Sequence, residues 1–228
     1  MSQWFSELTF QQFISLLGAA NIAMYIGSWV GVAVLQRLFD SRTMNTQPAL
    51  ASWRDVLLSL LILSINVGTG IPGWWLWKHG YIVLVDRSFP AAILDGALMF
   101  VYFDLCMYGL HRFIHASWLY NVIHRRHHDH TNVSGISLYV MNPVEAAGFG
   151  MLLILFLLGR ACDVRALLAF LFLNWSYGTI GHSALPISGG LLSWFVGNAA
   201  FHHRHHTEQH GNYGFFTGVW DRLWRTVL

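Results

Sequence analysis

Long apolar blocks alternate with short polar interruptions along the 228-residue chain. A bilayer core takes about 20 apolar residues in helical form. Phe13 to Phe39 meets that length, with Arg37 only near its end. Val56 to Trp77 is the second such block. It closes on Trp74-Trp75-Leu76-Trp77-Lys78, the composition of a membrane–water interface, where indoles prefer to sit. The third block, Ala91 to Leu110, contains Asp95 and Asp104. After a polar stretch come Pro143 to Leu158 and Ala166 to Ile180, joined by Gly159 to Arg165. These last two are short for full crossings and are also compatible with a tight hairpin that enters the bilayer only partway. The pattern predicts an all-α integral membrane bundle of about four to five spans. The length suits one domain, organised as an N-terminal two-span region, 1–90, and a second region, 91–228.

Composition sharpens this picture. The chain is 55% hydrophobic and 15% aromatic, with a mean hydropathy of +0.46 and only 11% charged residues. A soluble domain carries about 25% charge, so intrinsic disorder, a soluble basic nucleic-acid module and a water-exposed enzyme surface are all excluded. The net charge of +2 singles out no partner. Cys106 and Cys162 sit in apolar stretches without a CxxC spacing and are read as buried small side chains. The opening Met1 to Glu7 lacks the basic stretch and small-residue cleavage site of a secretory signal, so the first apolar block is expected to stay as an anchor.

With five crossings, Arg37, Arg42, Arg54, Arg112, Arg125, Arg126, Arg204, Arg222 and Arg225 fall on one side, and Lys78, Arg87, Arg160 and Arg165 on the other. The richer side is expected to be cytoplasmic. That assignment also puts His111 to His130 and His182 to His210 on the cytoplasmic face, leaving only His79 opposite. The N-x-S sequons at Asn132 and Asn174 are then expected to carry no glycan.

The 13 histidines are the anomaly. The third block runs without a breaker into Asp104-x3-Tyr108-x2-His111-x3-His115, steps that place all four side chains on one helical face. His124-x2-His127-His128 follows, and His202-x2-His205-His206 repeats its HxxHH spacing. If each HxxHH segment is helical, its three imidazoles share one side and converge. His182 sits at the cytoplasmic end of the last span. His79 is read as an interface residue, His130 and His210 as supporting or surface groups, and His203 as pointing away from its neighbours' face.

Neutral imidazole is a strong ligand for iron, zinc, copper or nickel. One ion with about four to six coordination sites cannot use His111, His115, His124, His127, His128, His182, His202, His205 and His206 together. Two ions can. Burying these rings without metal would leave a ring nitrogen unsatisfied on most of them, at about 1–3 kcal/mol each. There is no Glu-x-x-His pair of the carboxylate-bridged di-iron kind, no HExxH and no nucleotide-binding glycine fingerprint. Reducing equivalents must therefore come from a separate protein. The competing reading is a non-enzymatic membrane zinc protein for transport, storage or sensing. Transport sites usually lie near the midplane on discontinuous helices, whereas these histidines cluster at and beyond helix ends. A bis-histidine haem protein would leave the HxxHH segments unexplained.

His111-Arg112-x2-His115, His124-x2-His127-His128 and His202-x2-His205-His206 together resemble the histidine boxes of the fatty acid hydroxylase superfamily, which includes sterol desaturases, sterol C-4 methyl oxidases and alkylglycerol monooxygenases. Asn142-Pro143-x-Glu145, Asn212-Tyr213-Gly214 and Trp220-Asp221-Arg222-Leu223 match its accompanying motifs. The three-residue gap in the first box differs from the longer gap of acyl-CoA desaturases, and Asn142 stands where the family commonly has a histidine.

The resemblance covers 91 to the end of the sequence and implies a catalytic region with a cytoplasmic dimetal cap. Such a centre would use dioxygen and electrons from a cytochrome b5-, ferredoxin- or rubredoxin-like protein. It would hydroxylate or desaturate a C–H bond of a sterol, fatty acyl or related lipid drawn from the bilayer. Two iron ions are expected, replaceable by zinc in purified protein. Asp104, Tyr108, Glu145, Asn198 and Asp221 are candidates to support the ligands, with Asp129 as a further carboxylate. A carboxylate within a span is costly unless paired or functional, which favours a supporting role for Asp104. Asn198 is alternatively a helix cap, and Asp221 alternatively a partner of Arg222 or Arg225. Trp175, Tyr177 and Tyr139 are candidates for the lipid's route or for packing. Arg125, Arg126 and Arg204 are candidates for docking an acidic carrier or lipid headgroups.

Overall fold

The computed structural model describes residues 2–39, 43–46, 51–186 and 199–228. Asn198 and Arg42 lie outside the described residues. In chain order the elements are α1 (Ser2–Ser6), α2 (Phe10–Leu38), α3 (Trp53–Lys78), β1 (Leu84–Val85) and α4 (Phe89–His115). A π-helical turn (Tyr120–His124), α5 (Arg125–His128) and a 3-10 turn (Ser137–Tyr139) follow. The remainder is α6 (Pro143–Leu158), β2 (Cys162–Asp163), α7 (Val164–Gly181), α8 (Ala199–Glu208) and α9 (Val219–Leu223).

The helix starts follow from local chemistry. Thr9 with Gln12 and Ser52 with Asp55 close reciprocal capping boxes on α2 and α3, satisfying amide donors that a helix start otherwise leaves open. Asn142 accepts from the Val144 amide ahead of Pro143 at the start of α6, and Asp163 caps α7 through the Arg165 amide.

Three helices, α2, α3 and α4, are long and apolar enough to cross a membrane, and α6 is a shorter apolar helix. Their outward faces carry Ile22, Ile26, Val30, Leu57, Leu61, Ile93, Leu94 and Val101 in the open. A water-soluble monomer rarely exposes contiguous apolar surface of this extent. Inside, polar side chains join the helices: Tyr25 to Ser59 at 2.7 Å, Ser28 to Thr179 at 2.8 Å, and the Trp175 indole N–H to Ser28 at 2.8 Å. Such pairs hold helices together where the surrounding lipid supplies no hydrophobic drive between them. Met99, Phe103, Phe170 and Phe216 form the apolar core around α4 and α7.

Helix α4 is the central strut, about 40 Å long at 1.5 Å per residue. Near its start, buried Asp95 accepts from the Asp163 amide at 2.9 Å and pairs with Arg87 at 3.0 Å and with Arg160. This knot pins the short parallel pairing of β1 with β2, in which Leu84 faces Cys162 and Val85 faces Asp163. At its other end α4 delivers His111 and His115.

The loop before α6 is seated on α2 by a backbone-to-backbone approach. A Cβ at Gly135 would lie 2.4 Å from the Ser28 carbonyl oxygen, so only glycine fits. Gly135→Ala is expected to cost about 1–3 kcal/mol by overpacking. It should lower the thermal midpoint in detergent by several degrees, whereas an unchanged midpoint would show that this approach does not carry the loop.

Candidate metal centre

The structure brings all nine box and span-end histidines together, in two groups. His111, His115, His124, His128 and His205 place one ring nitrogen each within 4.8 Å of one another, and so do His127, His182, His202 and His206. The helical-face expectation that each HxxHH segment converges on one point is corrected here. His124 and His128 enter the five-histidine group while His127 enters the other; His202 and His206 enter the four-histidine group while His205 crosses to the first. Each segment thus gives its i and i+4 rings to one group and its i+3 ring to the other. The two groups abut, with ring centroids 4.8 Å apart for His128–His206 and 5.4 Å apart for His124–His127.

The nitrogens face one another closely. Nε2–Nε2 separations are 3.0 Å for His111–His124 and 3.1 Å for His115–His128 and His124–His128. They are 3.2 Å for His182–His202 and 3.1 Å for His202–His206. The Nδ1 partners decide what these contacts are. His111 donates Nδ1–H to the Tyr213 carbonyl at 2.9 Å, and His205 to the Gly211 carbonyl at 2.8 Å. His124 Nδ1 meets the Glu145 carboxylate at 2.7 Å. Because Ser137 gives its hydroxyl proton to the Ser134 carbonyl, it accepts from His182 Nδ1 at 2.8 Å.

With Nδ1 donating, a neutral imidazole presents a bare lone pair at Nε2. At His111–His124 two such lone pairs face each other. His205 Nε2 is buried without a partner, and so are His128 Nδ1 and His206 Nδ1. Two ligands on a cation about 2.0–2.1 Å away lie about 2.9–3.4 Å apart, which matches the observed spacing. The donor set therefore fits two metal ions.

Burial pushes the pKa values of His124, His127, His128, His182, His202, His205 and His206 below the usual histidine range, and neighbouring imidazoles push in the same direction. These rings are neutral at pH 7, the form in which histidine binds metal.

The other candidate residues occupy different positions. Glu145 holds His124, and its second oxygen is buried without a partner. Asp104 accepts from the Thr217 amide and hydroxyl and from the Trp220 indole, tying α4 to the 211–228 segment rather than to an imidazole. The Tyr108 hydroxyl bonds Thr226 and Arg112. Asp221 accepts from the Tyr213 and Gly214 amides and the Thr226 hydroxyl. Asp129 pairs with Arg126 at 3.2 Å on the surface.

His79 stacks on Trp75, His130 Nε2 lies 3.4 Å from Asp55, and His210 is exposed. Tyr177 borders a small cavity that also touches His182 and His202. Trp175 bonds α2, and Tyr139 packs on Tyr25. Spacing along the sequence did not reveal Ser137, the carbonyls of Val140, Gly211 and Tyr213, or the Tyr120 and Tyr213 rings, 4.9 and 5.2 Å from His115. Carbonyl acceptors leave no trace in residue type, although Tyr213 lay within a motif already noted.

The profile of the fatty acid hydroxylase family matches residues 96–226, more than half of the chain. The chain belongs to the fatty acid hydroxylase family. Among fatty acid hydroxylase relatives, a Delta(7)-sterol 5(6)-desaturase of Candida dubliniensis is 30% identical over 198 residues, covering 82% of this chain and 50% of its own. A methylsterol monooxygenase 1 of Danio rerio is 30% identical over 165 residues, covering 68% and 52% respectively. A Delta(7)-sterol 5(6)-desaturase of Eremothecium gossypii is 27% identical over 164 residues, covering 67% and 44%. The chain spans about half the length of the curated relatives it matches. No solved structure matches it. These relatives are oxidoreductases by name.

The depressed imidazoles set a pH dependence. Unfolded histidines take up protons below about pH 6.5, whereas the buried ones do not. Stability of the metal-free protein is therefore full above about pH 6.5 and is lost as pH falls below it. Thermal midpoints of metal-free protein from pH 8 to pH 5 should drop on the acid side; a flat profile would contradict the neutral, buried state of these rings.

Proposed function

We propose that this protein is a membrane-bound di-iron oxygenase that hydroxylates or desaturates a lipid C–H bond, taking electrons from a separate redox protein. The observation that carries the reading is the pair of histidine groups, with ring nitrogens facing one another at 3.0–3.2 Å within each. His111, His115, His124, His128 and His205 would hold one ion, and His127, His182, His202 and His206 the other. Bound there, two iron ions supply the redox chemistry that turns dioxygen against an unactivated C–H bond.

The chain's own residues do the rest. Glu145 meets His124 Nδ1 and orients its ring, as carboxylate partners of metal-bound histidine usually do. Ser137 and the carbonyls of Val140, Gly211 and Tyr213 orient four further rings. The apolar flanks of α2, α3 and α4 keep the protein in the bilayer, where an apolar substrate is dissolved. The α6–α7 hairpin adds one or two crossings, giving four to five in all. The catalytic region, 91–228, follows a two-span region, 1–90.

The histidine end faces the cytoplasm, where positive charge is concentrated. Exposed Arg125 and Arg204 are the site for an acidic electron carrier of the cytochrome b5, ferredoxin or rubredoxin kind. Because the relatives named above are sterol desaturases and a methylsterol monooxygenase, sterols are the substrate class to test first, ahead of fatty acyl lipids. The test is incubation of iron-loaded protein in sterol-containing membranes with a reductant and isotopically labelled dioxygen. Expected is a lipid carrying the label as hydroxyl, or one that has lost two hydrogens. Fully iron-loaded protein that consumes reductant and leaves both sterols and fatty acyl lipids unchanged would contradict the proposal.

A further inference from the structure

The segment from Gly211 to Leu228 closes a ring of contacts onto the five-histidine group. Two of that group's rings, on different helices, direct their Nδ1–H into one short loop: His111 of α4 to the Tyr213 carbonyl, and His205 of α8 to the Gly211 carbonyl. The loop is held from behind by α9 and the residues after it. Asp221 accepts the Tyr213 amide at 2.9 Å and the Gly214 amide at 2.7 Å. The Thr226 carbonyl accepts the Asn212 amide at 2.8 Å, and the Asn212 side chain accepts the Leu228 amide at 2.9 Å.

The polar chain has one consistent direction. Arg112 donates to the Tyr108 oxygen at 3.1 Å, Tyr108 donates to Thr226 Oγ1 at 3.0 Å, and Thr226 donates to Asp221 Oδ1 at 2.7 Å. Tyr108 and His111 lie one turn apart on α4. A second arm runs from His111 to the Tyr213 carbonyl and from the Tyr213 amide to Asp221, so two donor arms leave α4 and meet at Asp221.

Backbone geometry shows how tight the closure is. Gly211 has a φ of 81°, and a Cβ there would lie 2.6 Å from the Thr226 carbonyl oxygen. A Cβ at Gly214 would lie 2.8 Å from Asp221 Oδ2. The Asn212 side-chain amide also donates to the Phe201 carbonyl at 3.2 Å, on the backbone beside His202, but among the described residues no hydrogen bond from this segment reaches a ring of the four-histidine group. His182 is held by Ser137 and His127 by the Val140 carbonyl.

We infer that the 211–228 segment is a positioning clasp for the five-histidine group alone, in which Asp221 and Thr226 hold the two carbonyls that aim His111 and His205. The inference rests on the metal-centre reading above and adds that the two ions depend on different parts of the chain. Asp221→Asn removes an acceptor and turns an amide N–H toward backbone donors. Thr226→Val removes the hydroxyl that joins Tyr108 to Asp221, and Thr226→Ser keeps it.

The purified chain, freed of metal, is reloaded with ferrous iron and challenged with EDTA. The wild type is expected to hold two ions. Asp221→Asn and Thr226→Val should each release one ion at least about tenfold faster, with the other released at the wild-type rate and the thermal midpoint of the metal-free protein retained. Thr226→Ser should match the wild type. His202→Ala, which breaks the four-histidine group, should hold about one ion, and His202→Ala with Asp221→Asn should hold almost none.

Two ions released at wild-type rates from both Asp221→Asn and Thr226→Val would overturn the clasp while leaving the metal centre standing. So would loss of both ions in step with unfolding, which is what a merely structural segment would give. A correctly folded wild type that takes up no metal would overturn the metal-centre reading itself, and the clasp with it.

Discussion

Nine imidazoles, buried or half-buried and gathered so that in each of two groups one nitrogen per ring lies within 4.8 Å of the others, set the terms for the rest of this structure. Burial favours the neutral rings, and where Nδ1 already donates, as at His111 and His205, the lone pair at Nε2 is left for a cation. The arrangement exists because four separate parts of the chain deliver rings to it: the end of α4, the π turn with α5, the end of α7, and α8. Each part is fixed at a distance from the site. Asp95 anchors α4 at its far end, Gly135 seats the loop carrying Ser137 on α2, and Asp104 ties α4 to Thr217 and Trp220.

The division into five and four follows from where each HxxHH segment lies between the groups. Rings at i and i+4 stack on one side of a helix, and the i+3 ring is rotated away by about 60° of helical arc. In a segment lying between two groups, that rotation carries the i+3 ring across to the other one. His127 and His205 make the crossing in opposite directions, so the two segments interlock.

Much of this was legible in the sequence. The start and end of α6 were evident from Pro143 and Gly159, and α4 was expected to continue unbroken to His115. Helices α2 and α3 start three residues earlier than hydropathy suggested, because Thr9 and Ser52 cap them and polar first turns carry no apolar signal. The histidines themselves were legible because nothing else explains that many imidazoles in an apolar chain. Their partition was not. A π turn at Tyr120–His124 breaks the 3.6-residue period on which face arguments rest, and which group a ring joins is set by packing between helices. Asp104 illustrates the same limit. Its spacing put it on the histidine face, but the partners that satisfy it lie 113 and 116 residues away, beyond the reach of local pattern.

The central claim is that one chain builds two separate metal sites from interleaved histidines, and metal content in single variants tests it most directly. The wild type should bind two ions per chain. His128→Ala, in the five-histidine group, and His206→Ala, in the four-histidine group, should each leave about one, and the double variant none. Two ions retained in both single variants, or none bound by a correctly folded wild type, would contradict the account.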